Sequence, residues 1–124
     1  MPDHLAFLPL SSPVFHILLA LADRERHGYA IIKEIERRAG TSAVPSTGTL
    51  YAAIKRLLAD DLIARAEGRA DPELDDARRR YYRLTPFGRR VVSAETDRLA
   101  ELVDMSRTKQ LSPGFARPGT GGVQ

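Results

Sequence analysis

Cysteine is absent from this chain, which excludes both a disulfide framework and a thiolate-ligated zinc site. Long apolar runs are missing too. The nearest approach is an amino-terminal stretch with Leu5, Phe7, Leu8 and Leu10, but Asp3 precedes it and Pro9 and Pro13 interrupt it. It reads neither as a signal peptide nor as a membrane span, so the expected location is the cytoplasm, without a membrane partner. No nucleophile stands beside an evident base. His4, His16 and His27 are spaced unlike metal ligands, and Asp60-Asp61 and Asp75-Asp76 read as a helix end and a loop. No enzyme, cofactor or metal is expected. Charge of one sign is not in large excess either, at a net +3 over 124 residues. Its placement says more. Residues 1–64 and 91–124 each balance, so the whole cationic surplus lies in 65–90. That surplus reads as a solvated loop or as a patch that faces phosphate.

What is present is an ordinary globular composition, with 43% hydrophobic and 28% charged residues. It suits one domain with a modest core that a second subunit would extend. The spacing predicts an arm over 1–10, a domain over 11–85, a long helix over 86–109 and a flexible Pro/Gly-rich tail over 110–124. The arm reads as a dimer-docking segment or as a frayed terminus. Ser12-Pro13 is a helix start, followed to about Ala22 by Val14, Ile17, Leu18 and Leu21 at helical spacing. Asp23–His27 reads as a polar turn. A second helix spans about Gly28–Ala39, with Ile31, Ile32 and Ile35 inward, Glu34, Glu36, Arg37 and Arg38 mostly outward, and Gly40 as its stop.

Thr41–Pro45 is a short linker. Ser46 caps a third helix from about Thr47 to Asp60, whose apolar face is Leu50, Ile54, Leu57 and Leu58. Its opposite face collects Gly48, Thr49, Ala52, Lys55 and Arg56, cationic without an acid. Leu62–Ala66 and Arg80–Leu84 read as two short strands around the charged loop 67–78. Thr85-Pro86 repeats the cap-then-proline signature ahead of a helix to about Lys109. Its stripe of Phe87, Val91, Val92, Leu99, Leu102 and Val103 resembles a short coiled-coil seam that Glu95 interrupts; a second subunit is its natural cover, and packing back on its own domain is the other reading. The fold class is therefore mainly α with a small two-stranded β-wing, a winged helix-turn-helix carrying a carboxy-terminal dimerisation helix.

In that arrangement a polar first turn and a cationic flank on the third helix suit a DNA groove. Ser46, Thr47, Gly48 and Thr49 surround a helix start where free N–H groups attract phosphate; simple capping is the other reading. Tyr51 reads as a DNA contact or a half-buried core residue. Lys55 and Arg56 are candidates for phosphate above all. Arg78, Arg79 and Arg80 at the wing base, with Arg65 and Arg69 on the other limb, suit phosphate or a narrow minor groove, or pair locally with Asp71, Glu73, Asp75 and Asp76.

These segments resemble the PadR family of winged-helix transcriptional regulators. The residues that carry the resemblance are His27-Gly28-Tyr29 with Ile31, Ser46 with Gly48-Thr49-Leu50-Tyr51, Arg56-Leu57-Leu58, Leu62-Ile63, Tyr81-Tyr82-Arg83-Leu84-Thr85 and Gly88. Family members often have proline where this chain has Ala52, and the single helix after the wing places it with the compact members. The resemblance implies a homodimeric, ligand-responsive repressor with Tyr29 near the DNA backbone. It also implies that the last helix makes most of the dimer interface, through Val92, Leu99, Leu102 and Val103. Double-stranded DNA with a palindromic operator, a second copy of the chain and a small hydrophobic or aromatic effector would be the partners. A winged-helix module that binds protein instead of DNA is the alternative.

Overall fold

The computed structural model describes residues 3–66 and 80–111. Its order is α1 (Ser12–Ala20), β1 (Arg26–His27), α2 (Gly28–Ala39), α3 (Thr47–Ala59), β2 (Ile63–Arg65), β3 (Tyr81–Leu84) and α4 (Pro86–Thr108). Short 3-10 turns at His4–Phe7 and Thr41–Ala43 stand before α1 and between α2 and α3.

Helix starts follow side-chain capping, with one displacement. Ser11, not Ser12, has the extended backbone of a cap (φ −67°, ψ 157°) and accepts the Val14 N–H, which leaves Pro13 inside the first turn, where its missing donor costs nothing. Ser46 and Thr85 cap α3 and α4 as the sequence implies, accepting the N–H groups of Thr49 and Gly88. The cap of α2 is a histidine: His27 Nδ1 accepts the Ala30 N–H at 3.0 Å.

The sheet has three strands, in the order β1-β3-β2, all antiparallel. The two-stranded wing is thus corrected: part of the expected polar turn pairs with β3, Arg26 opposite Tyr82 and His27 opposite Tyr81. The added strand satisfies a β3 edge that would otherwise lie bare. β2 pairs with the other edge, Ile63 opposite Leu84 and Arg65 opposite Tyr82.

The core gathers Ile17, Leu18 and Leu21 beside α2's Ile31 and Ile35, with Leu50, Ile54 and Leu57 from α3, Leu62, Ile63 and Tyr82 from the wing, and Val91 and Val92 from α4. Val92 therefore packs in its own domain, 5% exposed, rather than in an intersubunit seam. Its side of α4 is the side that α1 and the sheet cover. Glu34 and Glu95 are corrections as well. Expected outward and as a break in a stripe, they are 5% and 1% exposed, because arginines neutralise them where they lie.

Candidate nucleic-acid interface

α3 divides cleanly. Leu50, Ile54 and Leu57 are buried, while Thr47, Gly48, Thr49, Ala52, Lys55 and Arg56 are exposed along the opposite side. The 3.6-residue period alone produces this division. Ser46 is exposed, but its hydroxyl is engaged at both ends, accepting the Thr49 N–H (3.2 Å) and donating to Thr49 Oγ1 (2.9 Å). Ser46 thus fixes the first turn, and Thr49 keeps its own hydroxyl proton to give. A Cβ at Gly48 would meet no atom within 4 Å, so what its missing side chain leaves clear is the outer surface, open to a backbone approaching from outside. Tyr51 is half-buried, and its phenol lies against Gly28: a Cβ there would stand 2.9 Å from Tyr51 Cζ. Tyr51 sets the spacing of α2 and α3 and presents only part of its ring outward.

The start of α2 adds an aromatic cluster. Tyr29 is 51% exposed. The His27 ring stacks near it (centroids 6.4 Å apart, 25° between planes) and meets Tyr81 edge-on at 5.1 Å. Lys33 Nζ stands 5.3 Å from the centre of the Tyr29 ring, within cation–π range. At the wing, Arg65, Arg80 and Arg83 are exposed around the sheet; Arg69, Arg78 and Arg79 lie outside the described residues. The structure thus joins α3, at Tyr51, and the wing, at Tyr81, to the Tyr29 cluster through Gly28 and His27.

The assigned pairing residues are spread along α4. Leu99 is half-buried, Leu102 and Val103 are 43% and 39% exposed, and neighbouring Met105 is 58% exposed. Between the arm and α4 a cleft of about 250 Å³ is lined by Leu10, Ser12, Phe15, Glu95, Arg98 and Leu99. Glu95 takes the Leu10 N–H on Oε2 (2.8 Å) and Arg98 Nε on Oε1 (2.5 Å), and the Arg98 guanidinium holds its carboxyl below the usual range against the opposing effect of burial. Glu34 is held likewise by Arg38, with Arg37 and Arg26 beside it. Among the described residues no group of three or more His, Asp or Glu could hold a metal ion, and no helix is long and apolar enough to cross a membrane. Sequence reasoning left two features unassigned: the burial of both glutamates, and the cap made by His27. Histidine is not among the favoured capping residues, so only its place ahead of the second helix pointed to the latter.

A helix-turn-helix followed by the β2-β3 wing, with β1 from ahead of α2 on the other edge of β3 and with α3 presenting small polar residues above Lys55 and Arg56, defines a winged-helix regulator. Residues 17–94 match the model of the PadR-like family of transcriptional regulators, and the chain belongs to that family, one of regulators rather than enzymes. A transcriptional regulator from Mycobacterium tuberculosis is 40% identical over 87 residues, which cover 70% of this chain and 75% of that protein. An uncharacterised protein encoded in a transposon of Streptomyces fradiae is 38% identical over 86 residues, but the match spans only 22% of its length. A crystal structure of a PadR family transcription regulator from Clostridium difficile superposes with a TM-score of 0.66 at 22% identity, covering 81% of this chain and 99% of that one. That likeness concerns the fold.

Proposed function

We propose that this PadR-family chain is a sequence-specific DNA-binding repressor that acts as a homodimer and is released by a small hydrophobic or aromatic effector. The observation that carries the DNA reading is α3. Its apolar side is fully spent on the core, and its other side offers Gly48, Thr49, Lys55 and Arg56 with no acid among them. Such a face has the size and charge to lie in a major groove, while Tyr29, Arg65 and Arg80 flank it where phosphates would run. Pairing is favoured by Leu102, Val103 and Met105, exposed together on the outer half of α4. An effector is favoured by the Phe15–Leu99 cleft, which adjoins that half. Repression itself follows from the family resemblance.

The test is a mobility shift with duplexes that the purified protein selects from genomic fragments. A dimer that neutralises about six to ten phosphates should lose roughly 10³–10⁵-fold in affinity between 50 and 200 mM salt. Its half-sites should be related by a two-fold axis, with centres roughly 34 Å apart. Some member of a panel of small aromatic compounds should release the bound duplex. Binding that is flat across that salt range would refute the electrostatic basis. An asymmetric single half-site would refute the dimer, and a panel without effect would refute the effector.

A further inference from the structure

We infer that His27 is a DNA-contacting residue, donating Nε2–H to a backbone phosphate between the start of α2 and the base of the wing; this rests on the DNA reading above. The argument begins with its tautomer. His27 Nδ1 accepts the Ala30 N–H at 3.0 Å, so in the neutral ring the proton resides on Nε2. No group among the described residues accepts that proton from Nε2. His27 is half-buried, and its ring is held on two sides, stacked near Tyr29 and edge-on to Tyr81. Its backbone is fixed as well, since His27 pairs with Tyr81 in the sheet. The donor is thus oriented, immobilised and unused.

Its surroundings specify the acceptor. Tyr81 follows exposed Arg80 on the wing, and the adjacent Gly28 lies against Tyr51, in the second turn of α3. Lys33 lies over the outer Tyr29 ring. An acceptor-rich, anionic group that touches α3 and the wing base together must pass over this ring, and a phosphate linkage is such a group. A neutral, preformed donor at that place adds directional binding without adding charge.

Two substitutions separate this contact from the capping role. Asparagine is a good cap and can replace Nδ1, but it has nothing at the position of Nε2. Glutamine reaches that position with its amide but caps poorly. Thus His27→Asn should keep the thermal midpoint and lose about five- to tenfold in affinity for the selected duplex. His27→Gln should lower the midpoint while keeping most of the affinity. Neither should change the salt slope, whereas Lys55→Ala, which removes one phosphate contact from each subunit of the dimer, should reduce it by about two. If His27→Asn binds as tightly as the wild type, or if affinity in both variants merely tracks thermal stability, the inference is overturned and His27 is a cap alone. A wild-type protein that shifts no duplex even at low salt removes the DNA reading, and the contact with it.

Discussion

Two buried carboxylates show how a residue's partners override the spacing that would have put it in water. Glu34 occupies an outward position by helical count, yet Arg26, Arg37 and Arg38 converge on it. Glu95 interrupts an apolar stripe, yet it joins Arg98 to the Leu10 amide. Each has a folded pKa below its ordinary 4.5, chiefly through its hydrogen bond to arginine. The stability they contribute is present above that ordinary value and is lost as pH falls through the lowered folded one. The denaturant midpoint should therefore fall as the pH is taken down past that ordinary value. Glu95→Gln keeps the shape and an acceptor for Leu10 but loses the charge. It should cost about 2 kcal/mol at neutral pH and make the acid limb shallower. A variant as stable as the parent in urea titration would contradict the role assigned to this pair.

At the scale of elements, most of the fold was legible because caps and apolar periods are local signals. Ser46 with Leu50, Ile54 and Leu57, and Thr85-Pro86 with Val91, define α3 and α4 from the sequence alone. β1 was not legible, since two residues, Arg26 and His27, carry no period and become a strand only because β3 offers an edge. The side to which Val92 turns was equally hidden, for a stripe shows which residues are apolar and not whether a domain or a partner covers them. The exposed half of the candidate site was legible through Lys55 and Arg56; the role of His27 depends on a tautomer that only the Ala30 amide reveals. The junction of β3 and α4 shows how tightly these elements meet. Thr85 donates its hydroxyl to the Asp61 carbonyl at 2.6 Å, and Gly88 packs so closely on the Leu62 carbonyl that an added Cβ would overlap that oxygen. Backbone cannot turn aside as a side chain can, so Gly88→Ala should destabilise by about 2–3 kcal/mol. A thermal midpoint equal to that of the parent would show that the junction yields.

For the molecule as a whole, α4 is the element that would serve two bodies in the proposed dimer. Its first half is built into the domain through Val91, Val92 and Glu95, while Leu102, Val103 and Met105 beyond it have no such cover. At 23 residues it is about 34 Å long, more than one domain of this size needs. If the outer half pairs with its counterpart, replacing Leu102 and Met105 together by glutamate should give a folded monomer in sedimentation analysis, with operator affinity reduced at least tenfold. A double variant that stays dimeric would place the interface elsewhere.

The amino-terminal arm also belongs to α4. Three of its ties end on that helix: His4 at Arg90 (3.2 Å), Phe7 edge-on to Phe87 (5.7 Å between ring centres) and the Leu10 amide on Glu95. In the proposed dimer, a cargo fused ahead of Asp3 would hang on the same rod that spaces the two reading heads. In that assembly, bulk or tension applied at this end of the polypeptide would reach the operator as a change in span, which makes an affinity handle placed there a mechanical perturbation rather than a neutral label.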